Sequence, residues 1–560
     1  MTLLLVVALP LVSAAMIVVF GRWLGRRLVA LAAVIPVALA FGSAVSIAQA
    51  FLAGKTSLAA DLGPWLPLHG ADLVLRVEGP TVPVLVAVTF IATLLAIAAV
   101  AALDASSRRT FVAINLFATG TTLIVATPDL ILILAGAELV AAATYLVISL
   151  RSEQPAAAGA AVRAFTVARI GDACLLLAIV TFFVTFRTLD LGEIAQRVGG
   201  FSGQLDAVAR LQSTLFVPSL LVLVAALARS SALPFPTWLV HARHAPAPAS
   251  AALQAWPAAA GALVLMRLGP ILHPAVLDAA VALGALTALY AAVVAMAQRD
   301  VRASMAWSTA SGAGLALAAA GARADGAVLL LVLALAASRP ALVLAEAAHP
   351  GRLRSIAVAL AALSACAIPV TAGSIAAASL VGALETRPLA LVAALGAIAL
   401  VSLATMRAAV GLIRRPVSAG TGSLPGAGVL IAFAVLAVTI DGPLSTTMHP
   451  LATLAAVAGA AVALALALRG RSTPPWLARA SAGFELERLY RLSIGAPFHG
   501  LAEALGRGSE ATIERAADLV GQSVVRASVL LRRARLRYAS ADAALAVAAI
   551  VAVVVYWGLR

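Results

Sequence analysis

Long apolar stretches follow one another along the whole chain, separated by short polar loops. Sixteen of them approach the ~20 residues that an α-helix needs to cross a bilayer, and the fourteenth is the shortest. They predict an all-α polytopic membrane protein with about 16 transmembrane helices. The predicted spans are 2–20, 28–52, 82–103, 110–127, 130–150, 163–186, 215–233, 248–268, 274–297, 303–321, 326–346, 355–383, 387–412, 427–440, 449–468 and 541–558.

Two of these spans contain helix-breaking residues. The seventh runs into Pro234 and Pro236, and the twelfth contains Pro369 and Gly373. Proline removes a backbone donor and interrupts the helical hydrogen bonds, and paired broken helices in corresponding halves of a chain are typical of inverted-repeat transporters. Proline and glycine are also common in ordinary membrane helices, which is the competing interpretation. We predict two inverted repeats with discontinuous helices 7 and 12.

These spans and breaks divide the chain into six predicted segments. Residues 1–109 hold helices 1–3, residues 110–270 the first repeat (helices 4–8) and residues 271–416 the second repeat (helices 9–13). Residues 417–470 hold helices 14 and 15, residues 471–540 an amphipathic lateral helix, and residues 541–560 the final span. The lateral segment places apolar residues at helical spacing among charged ones, which indicates a helix lying along the membrane. It is either a lipid-interface anchor or a strap across neighbouring subunits.

Charge is concentrated in the loops. The chain is 63% hydrophobic and 11% charged, with a mean hydropathy of +1.05 and a formal net charge of +15. Taken together, alternate loops as far as Leu468 contain fourteen arginines and only three acidic residues. Most other acidic residues fall in the remaining loops. This positive-inside bias accounts for the basic charge without nucleic acid. It predicts a multi-pass protein of the cell (inner) membrane with both termini on the outer side.

Ionisable residues within the spans are functional candidates, because each must find a partner or a water-filled cavity. Glu138 and Arg229, on different spans, are the pair expected from their depth, and Arg169 and Asp172 lie one turn apart, where they pair locally. Glu138 is either the movable charge of an ion path or half of a static salt bridge that locks helices. The other candidates are Arg339, Glu346 and Arg407.

Motifs for enzymatic chemistry are missing from the sequence. There is no HExxH, no CxxC and no phosphate-binding glycine-rich loop, and no histidine lies in the middle of an apolar run. The two cysteines, Cys174 and Cys366, lie in apolar runs without metal-ligand spacing. We therefore expect no cofactor, no metal and no active site in this chain itself.

Four stretches carry a family resemblance. ALARSSALPFPTWLVHARHAPAPASAALQA, AAVRAFTVARIGDACLLL, MAQRDVRASMAWSTASGAG and IPVTAG resemble the antiporter-like membrane subunits of NADH:quinone oxidoreductase (complex I), which also occur in multisubunit sodium/proton antiporters. The lateral helix before one final span is similar to the distal subunit 5, or L. The resemblance implies a non-redox subunit of a proton-translocating assembly. Other membrane subunits would touch the lateral helix, and NADH, FMN, iron–sulfur clusters and quinone would be bound by partner subunits.

The resemblance also implies which residues line the ion path, and where this chain departs from the family. Glu138, Arg169, Asp172 and Arg407 match charged family positions. Where the family has a buried lysine in the seventh span this chain has Arg229, and where it has a histidine in the eighth this chain has Gln254. In the eleventh span, Arg339 lies near the position of another family lysine. In the twelfth span, the family has a lysine or glutamate where this chain has an alanine, which is Ala376, Ala377 or Ala378.

These departures bear on proton transfer. Burial can bring a lysine pKa toward neutrality, whereas arginine stays protonated and an amide does not titrate. We therefore predict a distal complex I-like subunit whose proton relay is weakened or lost. The alternatives are a membrane subunit of a multisubunit cation/proton antiporter or of a two-component inorganic-carbon uptake system, and a non-conducting structural paralogue.

Overall fold

Apolar helices make up most of the described chain. The structure, a computed structural model, describes residues 2–101, 107–151, 153–200, 205–348, 351–414 and 449–469, together with residues 432, 480, 483, 500, 503 and 522. The helices in these ranges are α1 (Thr2–Phe20), α2 (Arg26–Leu52), α3 (Val82–Ala101), α4 (Ser107–Ala126), α5 (Leu130–Ile148), α6 (Pro155–Phe186), α7 (Leu191–Gly200), α8 (Leu205–Arg229), α9 (Ala247–Gln254), α10 (Ala260–Leu268), α11 (Pro274–Ala297), α12 (Val301–Gly321), α13 (Asp325–Ala347), α14 (Arg352–Ala365), α15 (Ala372–Leu384), α16 (Pro388–Arg414) and α17 (Pro450–Arg469).

Eleven segments in the described part of the chain are long and apolar enough to cross a membrane. The polytopic membrane fold is therefore confirmed, whereas the count of sixteen spans stays a prediction. Apart from the single residues 432, 480, 483, 500, 503 and 522, the fourteenth span, the lateral helix at 471–540 and the last span at 541–558 lie outside the described residues. The six segment boundaries likewise stay predictions.

A β-hairpin corrects the all-α expectation locally. β1 (Ser57–Pro64) and β2 (Asp72–Glu78) pair antiparallel in the loop after α2, with Leu58 opposite Val77. Alternate residues of a strand point to opposite faces, so Leu75 and Val77 both face inward, where they join a buried cluster with residues of α1, α2 and α3. The hairpin thus covers one end of the first helices.

The seventh predicted span is broken as expected. α8 ends at Arg229, and an irregular segment containing Pro234 and Pro236 leads to a 3₁₀ turn, Leu239–His244. Its freed polar groups find specific partners: Leu233 N donates to Thr287 Oγ1 over 3.0 Å, and Trp238 Nε1 donates to Ala228 O over 3.0 Å. A broken helix inside a membrane requires such replacements, because no water is available to satisfy the backbone.

The twelfth predicted span is broken as well. α14 ends at Ala365 and α15 begins at Ala372, with Pro369 between them and Gly373 in the first turn of α15. Thr371 caps α15 through its hydroxyl, which accepts from the backbone N of Ser374 over 3.4 Å. Val370 has φ +70°, a left-handed conformation that is strained for a β-branched residue.

The eighth predicted span is a third discontinuous segment, which the sequence analysis missed. It consists of α9, a 3₁₀ turn at Pro257–Ala259 and α10, with the interruption directly after Gln254. Ala255 leaves the helical conformation with ψ −109°, and Pro257, which lacks an amide hydrogen and so cannot continue the hydrogen bonds of α9, begins the 3₁₀ turn. Gln254 therefore lies at a helix end buried in the protein.

Candidate functional site

A charged cluster joins α5, α6 and α8. Arg169 and Asp172 lie on α6, Glu138 lies in the middle of α5, and Arg229 is the last residue of α8. Arg169 Nη2 donates to Glu138 Oε2 over 2.6 Å and lies 2.7 Å from Asp172 Oδ2. Arg229 Nη2 donates to Asp172 Oδ1. The four side chains form one row of alternating charge across three helices.

The partner of Arg229 differs from the expected one. The sequence suggested Glu138, but the carboxylate that binds Arg229 is Asp172, and Glu138 is bound by Arg169 instead. The close approach of α6 and α8 explains this: a Cβ added at Gly171 would lie 3.0 Å from Ala228 Cβ. Absence of a side chain there brings Asp172 against the end of α8. The local Arg169–Asp172 pair is present as expected.

Exposure divides the cluster into two parts. The Asp172 and Arg229 side chains are 7% and 4% exposed, whereas those of Glu138 and Arg169 are 34% and 43% exposed. The inner pair is therefore held in a low-dielectric interior, where charges must be paired to be tolerated. The outer pair reaches the surface of this chain at the level of a membrane span.

A small cavity adjoins the inner pair. It has a volume of about 30 Å³ and is bordered by Thr144, Arg229, Trp238 and Pro257 among other residues. That volume is enough for one or two waters. The cavity lies between the end of α8 and the interruption of the eighth span, so two broken segments meet beside the Arg229 guanidinium.

Gln254 is held in a fixed polar network. It is fully buried, its Nε2 donates to Ser250 Oγ over 3.1 Å, and its Oε1 accepts from Thr309 Oγ1 of α12 over 3.3 Å. An amide in this position binds both neighbours without titrating. Thr309 was not singled out from the sequence, because a threonine in an apolar helix carries no distinguishing pattern.

Arg339 and Arg407 lie apart from the first cluster. Arg339 is buried on α13 and its Nη1 donates to Thr405 Oγ1 of α16 over 3.3 Å. Arg407 Nη2 donates to the carbonyl of Gln298, at the end of α11, over 2.7 Å. Glu346 forms an ion pair with Arg302 instead of joining either arginine. The structure does not bring the two halves of the predicted ion path into direct contact, and the path itself stays a prediction.

No cluster of three or more metal-ligating side chains occurs within the ranges that the structure describes. The candidate side chains are carboxylates, guanidinium groups, an amide and hydroxyls. Such a set can carry charge and order water, and it offers no nucleophile or general acid–base pair beside a binding cleft. In the described part of the chain, the cluster pairs opposite charges within the membrane spans.

Known proteins are similar to this chain in sequence. Residues 127–401 match the family described as NADH:quinone oxidoreductase/Mrp antiporter, TM. Subunit L of the NADH-quinone oxidoreductase of Mycobacterium tuberculosis is 33% identical over 330 residues, which cover 55% of this chain and 49% of that protein. The chloroplastic NAD(P)H-quinone oxidoreductase subunit 5 of Nephroselmis olivacea is 31% identical over 214 residues, covering 38% of this chain and 33% of that protein.

A solved structure shares the fold as well. The structure of the Mrp complex from Dietzia sp. matches with a TM-score of 0.67 at 22% identity, covering 100% of this chain and 63% of that chain. The family match and the shared fold identify an antiporter-like membrane protein. The match over residues 127–401 and the 33% identity to subunit L confirm the resemblance to the NADH:quinone oxidoreductase/Mrp antiporter family. The chain spans about half the length of the curated relatives it matches.

Proposed function

We propose that this chain is the distal, non-redox membrane subunit of a complex I-like NADH:quinone oxidoreductase. Its contribution is proton translocation coupled to electron transfer, and NADH, FMN, iron–sulfur clusters and quinone are bound by its partners. The proposal is supported by similarity to subunits whose names give NADH-quinone oxidoreductase subunit L and subunit 5. The arginine bias of alternate loops supports a cell-membrane location with both termini on the outer side.

The exposed charged pair on α5 and α6 carries the proposal of a membrane assembly. Glu138 and Arg169 are about a third or more exposed on the isolated chain, although both belong to membrane spans. Charge facing lipid at this depth is costly. A neighbouring membrane subunit that covers this face and supplies polar groups removes that cost. We therefore place a subunit contact at α5 and α6, in addition to the contact proposed for the lateral helix.

The row of charges also supports a weakened proton relay. The Arg229 guanidinium stays protonated under physiological conditions and is bound by Asp172, while Gln254 does not exchange protons. A proton that reaches Glu138 thus meets a fixed positive charge and then an amide. Transfer past this point requires water alone, through a cavity large enough for one or two molecules.

A second candidate is a membrane subunit of a multisubunit cation/proton antiporter. It is favoured by the family match, since that family includes the Mrp antiporters. The native complex, purified through a tag on this chain, distinguishes the two. NADH oxidation with quinone reduction supports the respiratory assignment. Cation-dependent proton exchange in a complex without NADH oxidation supports the antiporter.

The relay is tested by restoring titratable groups in the same complex. Arg229→Lys with Gln254→His should increase proton transport in proteoliposomes relative to the unmodified complex. Arg229→Lys alone is the control, because it leaves the amide at position 254. Unchanged proton transport in the double variant, with assembly intact, would remove the support for a weakened relay.

A further inference from the structure

A second cavity lies at the break between α14 and α15. It has a volume of about 60 Å³ and is bordered by α12, α13, the interruption between α14 and α15, and α16. Most of its wall is apolar. Its polar wall is formed by Ser338, Arg339, Ser364, Cys366 and Ser402 and by the first turn of α15 at Gly373.

Arg339 enters this cavity with its hydrogen-bonding capacity largely unused. The residue is 3% exposed; within the described ranges its one hydrogen bond is the 3.3 Å contact from Nη1 to Thr405 Oγ1, and its Nε has no partner there. Among the described residues, no carboxylate forms an ion pair with it. Glu346 lies seven residues, or about 10 Å, further along α13 and is bound to Arg302. A buried guanidinium without a counter-charge is strongly unfavourable.

Two other groups offer hydrogen-bond donors beside the cavity. Ser364 is buried, and its Oγ has no hydrogen-bond partner. The first turn of α15, a helix of 13 residues, borders the cavity through Gly373, and the N-terminus of a helix favours a negative charge. Cys366 does not supply that charge, because its thiol donates to the carbonyl of Ser402 over 3.4 Å. Arg339, Ser364 and the first turn of α15, from three elements, therefore border the same cavity.

We propose that this cavity is a binding site for a small monovalent anion, of the size of chloride, held by Arg339, Ser364 and the N-terminal turn of α15. The volume exceeds that of a single water, so one such ion fits beside the guanidinium. The anion neutralises Arg339 and satisfies Ser364. This site lies outside the cluster of Glu138, Asp172 and Arg229. The proposal is therefore the same for either complex that the chain could join.

The test uses the full-length chain in lipid nanodiscs, equilibrated in gluconate, an anion too large for the cavity. Chloride replaces gluconate at constant ionic strength while the unfolding temperature is followed. We expect a saturable rise for the unmodified chain and an affinity at least about ten-fold weaker for Arg339→Gln, which loses a charge-assisted contact. Arg407→Gln is the matched control, since it removes the same charge from α16 outside the cavity and should keep the saturable rise.

Bicarbonate, titrated separately at constant pH, identifies which small anion the site prefers. A saturable rise with either anion that depends on Arg339 supports the proposal. A rise that does not saturate, or one that Arg339→Gln retains, overturns it. A second measurement does not depend on a variant that folds: crystals of the unmodified chain soaked in bromide should show an anomalous peak beside Arg339 and Ser364, and no peak there also overturns the proposal.

Discussion

Asp172 of α6 and Arg229 at the broken end of α8 form a buried ion pair, and both side chains are at least nine-tenths covered. The two residues are 57 positions apart in the sequence. Their contact joins two membrane helices at the point where one of them loses its regular hydrogen bonds. Its loss should therefore affect both the packing of α6 against α8 and the geometry of the break.

Asp172→Asn should destabilise the protein by about 3–5 kcal/mol, because it leaves a buried guanidinium without its counter-charge. The measurement is the free energy of unfolding by denaturing detergent in mixed micelles. Asp278→Asn is the matched control: its carboxylate binds Arg387 over 2.8 Å, but the Asp278 side chain is 62% exposed, so the loss should stay below about 1 kcal/mol. Equal losses in the two variants would contradict the assignment of the inner pair.

Thr287 stabilises the break between α8 and the 3₁₀ turn that follows. Its hydroxyl accepts from the backbone N of Leu233 over 3.0 Å, and Thr287→Val leaves that amide without a partner. The expected cost is about 1–3 kcal/mol, together with faster amide exchange at residues 230–238. Thr287→Ser keeps the hydroxyl and should behave like the unmodified chain. Slow exchange in the valine variant would show that another group satisfies Leu233.

Two of the three helix interruptions could be predicted from the sequence, because each contains proline paired with a second proline or a glycine. Pro234 and Pro236 end one helical segment, and Pro369 with Gly373 separates two others. The third interruption, after Gln254, depends on a single Pro257 in an otherwise apolar run. A proline within a membrane helix is compatible with a kink as well as a break, so only the packing around Gln254 decides it.

The members of the charged row were also predictable, but their pairing was not. Intramembrane charges are rare enough to be identified one by one. Which carboxylate meets which arginine depends on how closely the helices pack, and Gly171 sets that distance between α6 and α8. The partners of Arg339 and Gln254 are threonines of α16 and α12, and threonines give no sequence signal of that kind.

Gly261 sets the distance between α10 and α8. A Cβ at this position would collide with the carbonyl of Ala226 and with Ser230 Oγ, so Gly261→Ala should destabilise the protein by about 1–3 kcal/mol through overpacking. Gly382→Ala in α15 is the control, because nothing lies within 4 Å of an added Cβ there. It should be neutral or stabilising by up to about 1 kcal/mol. Thermal unfolding of both variants gives the comparison. If both substitutions changed the unfolding temperature in the same direction, the result would argue against the close contact at Gly261.

His241 makes stability depend on pH. It lies between the membrane spans, is 8% exposed, and its Nε2 faces Arg163 Nη2 over 3.4 Å. Burial, followed by the positive charges of Arg163, Arg243 and His244, lowers the pKa of His241 to about 3. The unfolded chain, with a histidine pKa near 6.5, therefore binds more protons between these values, and stability falls as the pH decreases below about 6.5.

The expected loss from this one group is about 2 kcal/mol between pH 6.5 and pH 5. His241→Gln keeps a polar side chain that does not titrate, so it should flatten the decline of the unfolding free energy over this range. His69→Gln is the control, because it removes an exposed histidine and leaves the buried one in place. If the slope below pH 6.5 is the same with and without His241, the imidazole is not held neutral by burial and its arginine neighbours, and another group must cause the pH dependence.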